Sequence, residues 1–267
     1  LLHLPTLAAI PNFALARRAA GRDPAPEAAA PRTIDRDELP VLHEPWSRVA
    51  EAFRNMRTAV LFSAAGTPPK LILVTSARPA EGKTVASLNL ASTLAELGAR
   101  VLLVDADLRH PRCHAALGVS NDRGLTTWLA GEDDLDGLLH ALDAPGLFFL
   151  PAGPPPRNPA DLVGSARMRL GLDRLRSRFD FVVVDTPPVL PVTDAVVLAR
   201  EADGVVLVVK GHETPREVVR RARDRLVLAG ARFLGVMVNN VGVGWGDAYS
   251  YDTYGGDRRP PAGEQRV

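Results

Sequence analysis

Six short apolar runs set the frame of this chain: Lys70 to Thr75, Arg100 to Asp105, Leu147 to Leu150, Asp180 to Asp185, Gly204 to Val209 and Phe233 to Val238. They are continuous rather than alternating and rich in Val and Leu, the pattern of strands covered on both faces. Helical spacing fills the intervals. Val85, Leu88, Leu90, Ala91, Leu94 and Leu97 recur at that spacing and predict a helix from Lys83 that stops at Gly98. Another helix is predicted from about Trp46 to Ala65, ahead of the first run. Strands and helices in alternation predict an α/β fold with a doubly wound, mostly parallel sheet. Arg17 to Pro45 is rich in Ala, Pro and charge, lacks any period, and reads as a linker.

Composition narrows the class without changing it. The chain has 267 residues, 46% of them hydrophobic, and a net charge of +1. That suits one α/β domain with a sizeable core plus appendages, and it carries no electrostatic footprint for nucleic acid. The single Cys113 excludes an intramolecular disulfide and fits a reducing compartment. With His110 and His114 beside it, Cys113 reads as an ordinary loop residue rather than a metal ligand. No apolar run reaches membrane-spanning length.

Chemistry enters where the first run ends. Thr75-Ser76-Ala77-Arg78-Pro79-Ala80-Glu81-Gly82-Lys83-Thr84 follows a strand and opens a helix, the context in which Gly-Lys-Thr forms a phosphate-binding loop. Backbone amides of such a loop cradle phosphates, Lys83 is expected to reach the β and γ groups, and the Thr84 hydroxyl to ligate magnesium. Lys83 is further expected to pack against little besides phosphate oxygens. Ala77 departs from the general pattern, which has a glycine there.

Two more runs end in acid, at Asp105-Ala106-Asp107-Leu108-Arg109 and at Asp185-Thr186-Pro187-Pro188. Parallel strands present their C-terminal ends at one rim of the sheet, where ligands bind. Asp105 and Asp107 are two apart and in extended chain project to the same side. One aspartate at a strand end is as readily a helix cap. Three carboxylates with the Lys83 loop point instead to a magnesium and phosphate site, with Asp185 placed to hold the metal through water.

All three tyrosines of the chain, Tyr249, Tyr251 and Tyr254, fall in the glycine-rich C-terminal stretch. Random placement would put all three there on the order of once in a few thousand sequences. A sticky, disordered end is the plain reading; with a phosphate site in the same chain, they become candidate acceptors.

Together these features resemble the bacterial tyrosine kinases (BY-kinases), which autophosphorylate a C-terminal tyrosine cluster and govern capsular or exopolysaccharide synthesis. The resemblance rests on Glu81-Gly82-Lys83-Thr84, on Val101 to Arg109, on the Walker B segment Val182 to Pro188, and on the tyrosine tail. Glu51-Ala52-Phe53-Arg54-Asn55-Met56-Arg57 is similar to the Glu-x-x-Arg-x-x-Arg motif through which such kinases form rings. Pro151-Ala152-Gly153 with Asn158-Pro159, and Pro191 to Ala195, are family-like as well. The chain departs from the pattern at Ala80, where a glycine is common. Its β-carbon would strain the loop if the backbone there needs positive φ.

The resemblance implies a P-loop NTPase fold of the deviant Walker type, with ATP and Mg2+ as cofactors. It implies nucleotide contacts from Ala80, Glu81, Gly82, Lys83, Thr84, Val85 and Asn239, and metal contacts from Thr84, Asp107 and Asp185. Catalysis falls to Lys83, Asp105, Asp107 and Asp185, Asp105 being the candidate base, and the division of work among the three carboxylates stays open. Glu51, Arg54 and Arg57, three apart on a helix, span a face that is otherwise a solvated charged surface and by resemblance a contact between subunits. The implied organisation is a juxtamembrane segment and linker (1–45), a kinase domain with an N-terminal oligomerisation helix (46–240) and a flexible tyrosine tail (241–267). Leu1 to Phe13 resembles the segment after the second transmembrane helix of fused members. This chain is therefore expected to be the cytosolic part of a longer polypeptide, at the inner face of the bacterial inner membrane. Expected partners are further copies in a ring, a chain-length-regulator membrane domain, fused or separate, and a cognate tyrosine phosphatase; nucleic acid is not among them.

Two other classes remain open. A partition or division-site ATPase would use the same loop to control dimerisation without phosphorylating protein. Such ATPases usually have a lysine where this chain has Arg78, and they lack the tyrosine tail. A catalytically silent nucleotide-binding regulator of polysaccharide export would account for Ala80.

Overall fold

The computed structural model describes residues 4–19, 38–63 and 66–242. One sheet of eight strands organises them: β1 (Thr6–Pro11), β2 (Leu71–Ser76), β3 (Val101–Asp105), β4 (His140–Ala141), β5 (Leu147–Leu150), β6 (Phe181–Asp185), β7 (Gly204–Lys210) and β8 (Phe233–Val241). Their order across the sheet is β1-β8-β7-β2-β6-β3-β5-β4, parallel throughout except at the β4 edge. All six predicted strands form, within a residue or three of their expected ends.

The helices are α1 (Phe13–Ala19), α2 (Pro40–His43), α3 (Arg48–Leu61), α4 (Lys83–Ala95), α5 (Cys113–Leu117), α6 (Leu125–Leu129), α7 (Pro159–Val163), α8 (Ala166–Arg178), α9 (Asp194–Leu198) and α10 (Arg216–Leu228). Each central strand feeds both sides of the sheet, which is why its run is continuous in sequence. Leu71 and Leu73 join a core with α8 and α10 through Leu172, Leu175, Val219 and Leu226. Ile72 and Val74 join the opposite core with α3 and α4 through Phe53, Met56, Leu90 and Leu94. The predicted helix over 46–65 is shorter in the fold because the Ser47 side chain accepts the Ala50 amide at 3.1 Å and fixes its start.

Two features of the N-terminal region differ from the linker reading of 1–45. Thr6–Pro11 pairs with β8 and buries Leu7 and Ile10 in the α3 core. So short a strand, interrupted by alanines and ending in proline, has no period of its own; the ladder of β8 defines it. Gly235 makes room, since a β-carbon there would lie 2.5 Å from Pro5 O. Residues 38–45 also pack onto the nucleotide-loop helix. Asn89 of α4 donates to Glu38 O at 2.9 Å and accepts the Val41 amide at 3.3 Å. A boundary at 45 therefore cuts through packed structure. Tyr249, Tyr251 and Tyr254 lie outside the described residues.

Candidate active site

The loop between β2 and α4 is braced from three sides. The Glu81 carboxylate turns inward, accepting the Arg78 amide at 2.8 Å and the Thr214 hydroxyl at 2.5 Å. Burial raises its pKa, against the lowering effect of those hydrogen bonds. Asn239 of β8 donates to Glu81 O at 3.1 Å and sits where a β-carbon on Gly82 would fall, 2.1 Å from its Nδ2. Gly82 has φ +93°, and Ala80 holds φ +62°, so the backbone at Ala80 does take the left-handed conformation that favours glycine. No side chain caps the start of α4. Its first amides are thus free to receive an anion, as P-loop helices require. Val85 puts its side chain in the core below.

Three carboxylates converge on this helix start. β3 and β6 are paired with Asp105 opposite Asp185, so both strand ends reach the same rim. Lys83 Nζ lies 2.8 Å from Asp107 Oδ2 and 3.5 Å from Asp185 Oδ2. The Thr84 hydroxyl donates to Asp185 Oδ2 at 2.8 Å, and Ser87 to Oδ1 at 3.0 Å. Asp105 accepts the amides of Asp107, Arg112 and Cys113 at 3.1 to 3.2 Å. The Cys113 thiol lies 3.7 Å from Asp185 Oδ2.

Burial raises the Asp105 pKa to about 7, the charge of Asp185 adding to it and Lys83 opposing it. Asp185 is also raised, by burial first. Burial alone would lower Lys83; the charges of Asp185 and Asp107 outweigh it and hold the ammonium protonated. The Cys113 thiol is pushed well up by burial and by the two carboxylates.

This geometry brings together Lys83, Thr84, Asp105, Asp107 and Asp185, and changes three expectations. Lys83 does not stand apart from the protein: it is the ammonium shared by two buried carboxylates. Asp107 does not share an extended strand with Asp105, because β3 ends at Asp105 and Asp107 approaches Lys83 from the turn that follows. Cys113 is no plain loop residue either; its thiol packs among the acidic groups. Ser87 was missed, although its place one helical turn after Lys83 marks it as facing the same rim.

Three carboxylates face one ammonium here, an excess of buried negative charge that a divalent cation would balance. The donors are almost all oxygen, from Thr84 and the three aspartates, which suits a hard cation such as Mg2+. Ligand atoms of Asp105, Cys113 and Asp185 lie within 4.8 Å of one another.

On α3, Arg54 and Arg57 are not a free face. Arg54 forks onto Glu96 through Nε at 2.9 Å and Nη2 at 2.8 Å, and donates to Pro45 O at 2.7 Å. Arg57 donates to Thr93 O at 2.7 Å and approaches Glu96 at 3.4 Å. Both arginines therefore tie α3 to the far end of the helix that begins with Lys83, while Glu51 stays mostly exposed. Among the described residues no helix is long and apolar enough to cross a membrane.

Residues 69–217 match the model of the AAA domain family. A putative tyrosine-protein kinase, CapB, of Staphylococcus aureus is 34% identical over 82% of this chain and 96% of its own length. The tyrosine-protein kinase YwqD of Bacillus subtilis is 36% identical over 78% of this chain and 88% of its own. The solved kinase domain of the Escherichia coli tyrosine kinase Etk superposes with a TM-score of 0.78 over 90% of this chain and 91% of that one, at 32% identity. Such identity over more than three quarters of the chain establishes the kinship: the chain belongs to the bacterial tyrosine-protein kinase family.

Proposed function

We infer that the chain is an ATP-dependent tyrosine autokinase that phosphorylates Tyr249, Tyr251 and Tyr254 of a neighbouring copy and thereby regulates capsular or exopolysaccharide assembly. The observation that carries this reading is the meeting of Lys83, Thr84 and three buried carboxylates at an uncapped helix start. Mg2+, bound with the nucleotide, would offset the negative charge that builds on the phosphate oxygens during transfer. Thr84, Asp107 and Asp185 would hold it.

The residues of the chain do the rest. Loop amides and Lys83 position the triphosphate, with Lys83 leaving Asp107 for the phosphate oxygens. The Glu81 side chain stays turned inward, so its part in nucleotide binding falls to its backbone. A tyrosine hydroxyl has a pKa of about 10 and needs a base at neutral pH. Asp105, raised to about 7, is matched to that task. The phenol proton passes to the Asp105 carboxylate and the phenol oxygen bonds to the γ phosphorus. The bond from that phosphorus to the β–γ bridging oxygen breaks, and ADP leaves. Asp105 is fully buried and its oxygens accept backbone amides, so the turn 106–112 shifts when the acceptor enters.

Glu51, Arg54 and Arg57 would supply the contact between copies. A ring at the inner face of the bacterial membrane, a membrane-embedded chain-length regulator and an opposing phosphatase complete the proposal. The partition-ATPase alternative has Arg78 against it.

Intact-mass analysis after incubation with magnesium and ATP, followed by mapping, tests the reading. Phosphate confined to the three tail tyrosines is the expected result. ATP hydrolysis with no protein modification would overturn it.

A further inference from the structure

A cleft of about 270 Å³ is lined by Arg109, Arg157, Asn158, Pro159, Ala160 and Asp161. Arg109 stands two residues beyond Asp107, the partner of Lys83. Its Nε and Nη2 are held at 3.1 to 3.3 Å by Asp194, a carboxylate 1% exposed, which fixes the guanidinium while Nη1 has no partner among the described residues. Arg157 is exposed and makes no ion pair among the described residues. Asp161 is the one opposing charge on the lining. The Arg157 fork, with the remaining Nη1 of the immobilised Arg109, suits a carboxylate or a phosphate.

The tail carries a matching pattern. Asp247-Ala248-Tyr249 and Asp252-Thr253-Tyr254 each place an acid two residues before a tyrosine. Tyr249-Ser250-Tyr251 places a tyrosine in that position instead. In extended chain, residues two apart project to the same side, about 7 Å from each other. Because Arg109 lies only two residues from Asp107, an acid held at the cleft would carry the tyrosine two positions on toward Lys83 and the aspartates. Unmodified Tyr249 offers the cleft no charge, whereas its phosphate ester carries about −1.5 to −2.

We propose that Arg109 and Arg157 form an acceptor subsite reading an anion two residues before the target tyrosine, so that Tyr249 and Tyr254 are modified first and Tyr251 only after Tyr249. This rests on the tail being the substrate. The occupant is the tail of a second copy of this chain, chosen because its acids recur two residues before a tyrosine and complement the two arginines in charge.

The test is a time course of the full chain with magnesium and ATP, followed by site-resolved mass spectrometry. Tyr251 should lag, and Tyr249→Phe should slow it by about tenfold or more, the loss of one charge-assisted contact, with Tyr254 as internal reference. Asp247→Asn should slow Tyr249 by a similar factor, and Arg157→Gln should erase the difference between Asp247 and its Asn variant. Arg157→Lys, which keeps the charge, should recover part of that discrimination. Tyr251 modified at an unchanged rate in Tyr249→Phe, or Tyr249 indifferent to Asp247→Asn, would overturn the subsite while leaving the kinase intact. No phosphate on any of the three tyrosines would overturn both.

Discussion

Replacing Asp105 by Asn should make the nucleotide-free protein more stable in alkaline solution while disabling transfer. Asp105 is wholly buried, and its pKa is raised from 3.8 to about 7 by that burial and by Asp185. With the folded value above the unfolded one, its stabilising effect is complete below about pH 4 and is lost as pH rises through about 7. Full ionisation in the fold therefore costs about 4 kcal/mol. Asn removes that cost but loses one of the accepted backbone amides, worth about 1 kcal/mol at any pH. The advantage of the variant over wild type should grow by about 3 kcal/mol between about pH 5 and about pH 8. Urea titrations of both chains across that window, without nucleotide or Mg2+, read the difference directly. A gap that stays flat with pH would refute the reasoning and mean that Asp105 is ionised in the fold at little cost. In the same variant magnesium–ATP should still bind, and tail phosphorylation should fall by two orders of magnitude or more, on the order of a general base's contribution.

Lys83→Met should abolish phosphorylation and also cost about 3 to 5 kcal/mol near pH 8, because it strips the ammonium from buried carboxylates; unaltered urea stability would remove Lys83 from that network. Gly82→Ala should lower ATP affinity at least about tenfold by calorimetry, since the new β-carbon would overlap Asn239 Nδ2. Ala80→Gly should relieve left-handed strain of about 1 kcal/mol, partly offset by the greater freedom of glycine in the unfolded chain, and thus leave the melting temperature unchanged or slightly higher; a clear fall would show that the methyl packs usefully. Arg54→Ala with Arg57→Ala should reduce assembly in sedimentation runs and weaken tail phosphorylation, and an unchanged oligomer would confine the pair to tying α3 onto Glu96.

Much of this protein is written in local patterns. Continuous apolar runs locate the central strands because a strand covered on both faces has no polar side to show, and such a pattern survives without any tertiary knowledge. The loop at Gly82-Lys83-Thr84 and the acids at the ends of β3 and β6 are legible for the same reason: each belongs to one strand and the residues just after it. The spacing of Asp247, Tyr249, Asp252 and Tyr254 is likewise a property of sequence alone.

What the sequence could not determine depends on which strands become neighbours. Asp105 faces Asp185 across 80 positions only because β3 and β6 are adjacent in register. That adjacency, with burial, raises Asp105 toward neutrality and makes Lys83 a counter-ion as well as a phosphate ligand. β1 exists as a strand because β8 offers an open ladder, and Cys113 joins the acids because the turn after Asp107 folds back over them. Arg54 and Arg57 look like a solvated helix face until α4 brings Glu96 within 3 Å of Arg54. The physical reason is common to all of these: periodicity is fixed within a few residues of chain, whereas charge pairing and desolvation are set by distances that only the assembled sheet brings into being.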